Sequence, residues 1–223
     1  MPASYHFQAV LFDLDGTLLD TLTDLADSMN AALAGLGLPG HPREAYRYFV
    51  GDGMATLARR VLPETRRDEE NIARCVAAMR EEYGRRWAEQ TRPYPGVQDL
   101  LDRLAGLGLR LAILSNKPDE FTRRMVGHFL PGLPWSEVRG QRPEVPKKPA
   151  PGGALAIAQA LSLPSARLLY LGDTNTDMQT AIASGMYPLG ALWGFRTASE
   201  LLAAGARELL HHPLELLPLL HAD

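Results

Sequence analysis

The chain has 223 residues, of which 46% are hydrophobic and 22% charged, and its net charge is −3. That length allows one large domain or two small ones, and the dispersed basic residues exclude a surface built to follow nucleic acid. The lone Cys75 excludes an intramolecular disulfide and a cysteine-rich zinc site, and no apolar run approaches the ~18 residues that span a bilayer. With no basic segment leading into an apolar core at the start, a cytoplasmic setting is expected.

Ala9 to Phe12 reads as a buried strand that runs abruptly into Asp13, Asp15 and Gly16. Alternation puts the two carboxylates on one side if the extended geometry persists. Burying both without a cation would cost several kcal/mol, so they are expected to be exposed at the strand's carboxyl end, around a hard metal ion. Such a pair suits phosphoryl transfer: one carboxylate attacks phosphorus and the other moves the proton. Asp-Gly as a plain turn is the competing reading. An EF-hand beginning at Asp13 would need its turn glycine and closing glutamate where the chain has Leu18 and Asp24, and is excluded.

A long helical stretch follows. Asp20 can cap a helix whose apolar face is Leu22, Leu25, Met29, Ala32, Leu33 and Leu36, stopped by Gly35, Gly37 and Pro39. Arg43 to Val50 continues helically, Gly51-Asp52-Gly53 makes a turn, and Met54 to Val61 and about Thr65 to Trp87 are predicted helices. No strand is expected in this block.

From Tyr94 the texture alternates. Helices are expected over Val97–Leu107, Pro118–Phe129, Pro151–Leu161, Thr174–Ser184 and Ala198–Ala203. Strands are expected over Leu109–Leu114, Ser136–Arg139, Arg167–Leu171, Met186–Trp193 and Glu208–Leu210. That alternation predicts an α/β fold, a doubly wound parallel sheet with helices on both faces. Residues 17–91 are expected to form a helical cap domain inserted into a core made of 1–16 and 92–223.

Ligands of such sheets bind outside the carboxyl ends of the strands. Asp13 and Asp15 follow the first strand, Ser115-Asn116-Lys117 another, and Gly172-Asp173 a third, with Asp177 one helical turn on. Lys147-Lys148-Pro149 precedes a helix at the same edge. Only three of the 23 basic residues are lysines, and all three fall in these segments. For Asp173, helix capping competes with metal binding. For Arg47 and Gly51, a surface arginine and a plain turn compete with contact to a substrate. His211 and His212 lack a third ligand and are expected to be structural or exposed, and Cys75 to be a structural thiol.

These segments resemble the haloacid dehalogenase superfamily, in particular its phosphatases with a helical cap. Asp13-Leu14-Asp15-Gly16-Thr17 is similar to the first family motif, Ser115-Asn116 to the second, Lys148 within Lys-Pro-Ala-Pro to the third, and Gly172-Asp173-Thr174-Asn175-Thr176-Asp177 to the fourth. A closer likeness, to phosphoglycolate phosphatases, lies in Asp20-Thr21, Asn30 to Leu33, Leu36 to Pro39, Val50 to Gly53, Tyr94 to Val97 and Trp193-Gly194-Phe195-Arg196.

The resemblance implies a small phosphate ester as substrate and a Rossmann-like core. It implies that Asp13 is the nucleophile that becomes an aspartyl-phosphate, and that Asp15 is the general acid and base. It implies Mg2+ held by Asp13, the Asp15 carbonyl and Asp173, with Asp177 behind them. Ser115, Asn116 and Lys148 would bind the phosphoryl oxygens, Gly16 and Thr17 would line the site, and Arg47 and Gly51 would reach it from the cap. Lys147 is expected to be solvated, and Lys117 to face solvent or the cap. The second aspartate argues against a dehalogenase, and the absence of lysine from 18–91 removes imine-forming phosphonate hydrolysis. A sugar-phosphate mutase, a pyrophosphatase or nucleotidase and, outside enzymes, a phospho-aspartate receiver module remain as alternatives. No membrane or nucleic-acid partner is expected, and the chain is compatible with a monomer or a homodimer.

Overall fold

A computed structural model describes residues 6–220. Strand β1 (Ala9–Phe12) takes the middle of the sheet because all four side chains are apolar, and all are fully buried. Alternation sends Val10 and Phe12 into one hydrophobic layer and Ala9 and Leu11 into the other.

Parallel partners flank β1 on both sides, β4 (Arg110–Pro118) and β6 (Leu168–Gly172), with Ala9 opposite Arg110 and Leu168. Outside them lie β5 (Trp135–Gln141), β7 (Tyr187–Ala191) and β8 (Glu208–Leu210). The six-stranded order is β5-β4-β1-β6-β7-β8. The chain winds outward from β1 to β5, then crosses back to β6. That reversal opens a crevice beside β1, at the carboxyl ends of the strands. Helices α5 (Val97–Gly106), α6 (Asp119–Phe129), α7 (Gly152–Ala160), α8 (Asn175–Ala183) and α9 (Ala198–Ala203) connect the strands.

Between β1 and α5 the chain forms α1 (Leu22–Gly35), α2 (Tyr46–Phe49), α3 (Met54–Val61) and α4 (Glu69–Arg86). In α4 the buried residues Ile72, Cys75, Met79 and Tyr83 recur at helical spacing and form one stripe facing α1 and α3. Burying Ile72 or Met79 is worth about 1.5–3 kcal/mol over leaving it in water. Asp68 starts the helix by accepting a 2.9 Å hydrogen bond from the Asn71 N–H. The Cys75 thiol sits 3.7 Å from Met29 Sδ, and burial pushes its pKa up, as suits a structural thiol.

The base of this helical block is tied twice. β2 (Leu19–Asp20) pairs antiparallel with β3 (Arg92–Pro93). Nearby, the buried Asp24 carboxylate accepts from the N–H groups of Gln90 and Thr91, both at 2.9 Å, and from the Thr91 hydroxyl at 2.7 Å.

Several elements depart from the sequence reading. The β2–β3 pair was not expected, being too short to show alternation. The first helix begins at Leu22, and Asp20 offers only a long 3.4 Å contact to the Leu22 N–H instead of capping it. β4 runs on past Leu114 to Pro118, which carries Ser115, Asn116 and Lys117 along the strand. A short helix, α10 (Leu216–Leu219), follows Pro213. Among the described residues no helix is long and apolar enough to cross a membrane.

Candidate active site

Asp13 continues β1 by one residue, its N–H donating to the Leu171 carbonyl at 3.0 Å. This pulls the carboxylate into the crevice, so Asp13 is buried where exposure was expected. Asp15, two residues on, stays half-open at the mouth, with 15% of its side chain exposed. The chain can turn away between them and Thr17 because Gly16 has φ +88°, and a Cβ there would lie 2.3 Å from Asp173 Oδ2.

Asp173 follows β6 and is fully buried. Its Oδ1 accepts from the Thr17 hydroxyl and its Oδ2 from the Phe195 N–H, both at 2.8 Å. Asp177 sits in the first turn of α8. Its Oδ2 accepts from the Thr174 hydroxyl at 2.6 Å and the Thr174 N–H at 3.1 Å, closing a capping box. Capping thus falls to Thr174 and Asp177, which leaves Asp173 to face the crevice.

Lys148 joins these strand ends. Its buried ammonium lies 2.8 Å from Asp13 Oδ1 and donates to Asp177 Oδ1 at 2.7 Å and the Leu114 carbonyl at 3.0 Å. Asn116 holds the backbone of that lysine: its Oδ1 accepts from the Lys148 N–H at 2.9 Å, and its Nδ2 donates to the Lys148 carbonyl at 3.1 Å. The same Nδ2 donates to the Gly51 carbonyl at 3.0 Å, so Asn116 also grips the turn between α2 and α3. The buried Ser115 hydroxyl accepts from the Lys117 N–H at 3.2 Å.

Asp13, Asp173 and Asp177 each offer an oxygen within 4.8 Å of the others. One ammonium among three carboxylates leaves an excess of negative charge. Burial, then the neighbouring Asp177, holds the Asp13 pKa up at about 7, against the lowering pull of Lys148. Burial and the charges of Asp13 and Asp177 push Asp173 well above the usual carboxylate range. For Lys148, the two carboxylates overcome the burial that opposes its charge and raise its pKa. Asp13 Oδ1 receives no well-directed hydrogen bond despite its ion pair with Lys148. An all-carboxylate donor set with surplus charge and an unsatisfied oxygen fits a hard divalent cation.

The three lysines divide sharply. Lys117 is buried, with its ammonium 2.9 and 3.2 Å from the two Asp15 oxygens and 4.5 Å from the centre of the Tyr83 ring of α4. It therefore faces the helical block and not solvent, and Asp15 and Tyr83 raise its pKa against the opposing effect of burial. Lys147 is exposed, as expected, and also donates to the Asp52 carbonyl at 2.5 Å and the Thr56 hydroxyl at 2.9 Å.

Above the carboxylates lies a small cavity of about 40 Å³, room for a few water molecules. Asp13, Asp15, Ser115, Asn116 and Lys117 line its lower wall, and Leu25, Val50, Met54 and Leu57 its roof. Gly51 and Gly53 contribute the turn beside it. Arg47 does not line the cavity: its guanidinium donates to the Gly194 carbonyl at 2.9 Å and pairs with Glu44 at 3.2 Å. Thr17 likewise spends its hydroxyl on Asp173. His211 and His212 are exposed, and His212 Nδ1 accepts from the Leu214 N–H.

Some contributors had no partner assigned from sequence, although Asp52, Phe195 and Arg196 lie in segments that carry the resemblance. Asp52 Oδ1 accepts from the Thr176 hydroxyl at 2.9 Å, and its Oδ2 pairs with Arg60 at 2.6 Å. Arg196 donates to the carbonyls of Arg47 and Val50. Tyr83 and the Phe195 N–H carry no sequence signature of their own, since their partners lie far away along the chain.

A family model for haloacid dehalogenase-like hydrolases matches residues 10–191. Phosphoglycolate phosphatase from Pseudomonas putida is 33% identical over 190 residues, covering 83% of this chain and 70% of its own. The Psychrobacter arcticus phosphoglycolate phosphatase is 30% identical over 200 residues, 87% of each chain. Among solved structures, a protein from Lactobacillus delbrueckii subsp. bulgaricus superposes with a TM-score of 0.91 at 27% identity, covering 97% of this chain and 99% of that one. A haloacid dehalogenase-like family hydrolase from Streptococcus pneumoniae gives a TM-score of 0.86 at 25% identity, over 96% and 98%.

Proposed function

Because the chain belongs to the haloacid dehalogenase-like hydrolases, we propose that it is a phosphatase that cleaves 2-phosphoglycolate or a similar small phosphate monoester. The observation that carries this is the grouping of Asp13, Lys148, Asp173 and Asp177 at the sheet's switch point, with Asp15 beside them at the cavity mouth. The names of the similar phosphatases support the substrate.

In this reading Asp13 Oδ attacks phosphorus in line as the ester bond breaks, and the phosphoryl group passes to Asp13. Asp15 gives its proton to the leaving alkoxide, then takes one from the water that hydrolyses the aspartyl-phosphate. Lys148 offsets the repulsion between the anionic nucleophile and the anionic phosphate, which at ~4 Å and an effective dielectric of ~20 is about 4 kcal/mol per charge pair. Ser115 and the Asn116 N–H donate to the phosphoryl oxygens. Asp13, Asp173 and the Asp15 carbonyl would hold Mg2+, with Asp177 bracing them through Lys148, and the ion would supply the remaining neutralisation at the phosphoryl oxygens. Residues 17–91 act as a cap, hinged near β2 and β3, whose Gly51-Asp52-Gly53 turn closes the site. Arg47 acts at the seam by holding Gly194, next to the Phe195 N–H that fixes Asp173.

The test is phosphate release with and without Mg2+ from 2-phosphoglycolate, sugar phosphates, nucleotides and pyrophosphate. Metal-dependent release with preference for 2-phosphoglycolate is expected. Release without that preference would discard the substrate, and no release from any of them would discard the phosphatase.

A further inference from the structure

We infer that Lys117 reads the end of the substrate away from phosphorus, holding a carboxylate there, an assignment that rests on the phosphatase reading above. Among the described residues that line the cavity, Lys117 is the one cation; the others are two carboxylates, polar groups and the apolar roof. Every cation nearby is committed elsewhere. Lys148 is taken by Asp13, Asp177 and the Leu114 carbonyl. Arg47 is held by the Gly194 carbonyl, Arg196 by the carbonyls of Arg47 and Val50, and Arg60 by Asp52. Of the cations around this space, Lys117 is the one that lines the cavity a negatively charged tail would enter.

The surroundings make that meeting selective. Leu25, Val50, Met54 and Leu57 roof the cavity and offer a carboxylate no hydrogen bond, so an unmatched charge there would lose its water without compensation. Asp15 engages the ammonium with both oxygens and the Tyr83 ring backs it, which fixes its position. An ammonium has three N–H donors, so a substrate carboxylate can share it with Asp15. One shared ammonium suits a single carboxylate and is poorly matched to a second phosphate dianion. Lys117 would thereby bring the substrate's tail and Asp15 together on one cation.

The experiment compares 2-phosphoglycolate with ethyl phosphate, which lacks the carboxylate, in the wild-type protein and in Lys117→Met, Lys117→Gln and Lys117→Arg. The readout is the ratio of kcat/KM for the two substrates, because any harm done through Asp15 falls on both. The ratio is expected to drop about 10- to 100-fold in Lys117→Met and Lys117→Gln, mostly through KM, and to recover in part in Lys117→Arg. An unchanged ratio overturns the proposal and leaves Lys117 as a partner of Asp15 alone. Calorimetric binding of the same two compounds to Asp13→Asn, with and without Lys117→Met, gives a readout free of turnover. A carboxylate preference that Lys117→Met erases supports the assignment, even if Asp13→Asn retains activity and the catalytic reading fails. Equal binding of both compounds before the lysine is changed overturns it, even if hydrolysis through Asp13 holds.

Discussion

The Asp13→Asn substitution exchanges one oxygen for a nitrogen in the buried group of charges formed with Lys148, Asp173 and Asp177. In the metal-free protein Asp13 has its pKa raised from 3.8 to about 7, chiefly by burial and then by Asp177. An acid whose folded pKa lies above its unfolded one destabilises the fold as pH rises. The fold is unaffected by this group below about pH 4, loses stability as pH climbs toward 7, and bears the whole cost above that. Over that interval of about three pH units the cost reaches about 4 kcal/mol at most. Asparagine carries no charge and escapes it, though Lys148 keeps only Asp177 as its carboxylate partner. For a chain of this size 1 kcal/mol moves the melting temperature by about 2–4 °C. In chelator at pH 8 the variant should therefore melt about 5–12 °C above the wild type while releasing no phosphate, and at pH 5 the gap should shrink. Thermal melts at both pH values and a phosphate-release assay test this. A variant that melts at or below the wild type at pH 8 would refute the view that Asp13 is held against its own electrostatic cost.

Thr17→Val keeps the shape but removes the hydroxyl that donates to Asp173 at 2.8 Å. The Mg2+ concentration for half-maximal activity should rise about 10-fold or more, and an unmoved titration curve would mean that Asp173 is held without Thr17. Asp24→Ala strands the N–H groups of Gln90 and Thr91 and the Thr91 hydroxyl in a buried site. A loss of about 2–4 kcal/mol should appear in denaturant unfolding, whereas a change within error would show that water replaces the carboxylate. Asp52→Ala removes the contacts to Thr176 and Arg60 and should lower kcat/KM about 3- to 10-fold with little change in melting. Despite partial burial, hydrogen bonds from Thr176 and Arg60 hold the Asp52 carboxyl below its usual range. Its contribution is present above about pH 4 and is lost only as pH falls through the lowered value. The penalty should then be flat from pH 5 to 8, and a steep rise across that range would contradict it.

The sheet was legible because β1 and β6 are short apolar runs that stop at an aspartate, and α3 and α9 begin and end at the predicted residues. The site was legible as far as its polar residues lie at strand ends. Asp13, Ser115, Lys148 and Asp173 are neighbours in space because parallel strands bring their carboxyl ends to one edge. Depth was not legible: Asp13 was expected in solvent, and only the extra rung to Leu171 reveals that it is buried. Nor was the seam between the helical block and the sheet. Asn116 to Gly51, Thr176 to Asp52 and Arg47 to Gly194 pair residues 65, 124 and 147 positions apart, and no local pattern encodes such a partner. Lys147 and Lys117 show the same limit. Adjacent residue types gave their charge, but their partners, the Asp15 carboxylate for Lys117 and the Asp52 carbonyl and Thr56 hydroxyl for Lys147, were settled by the packing of α3 and α4.

The Gly51-Asp52-Gly53 turn touches the end of β4, the segment after β5 and the first turn of α8 through Asn116, Lys147 and Thr176. Each of these stands one position in sequence from Ser115, Lys148 or Asp177. Moving that turn therefore pulls on three side chains of the candidate site through single peptide links. In a systematic mutational scan, substitutions at 51–53 will score like substitutions at Ser115, Lys148 and Asp177 themselves. Sensitivity alone would thus overstate how many residues meet the substrate.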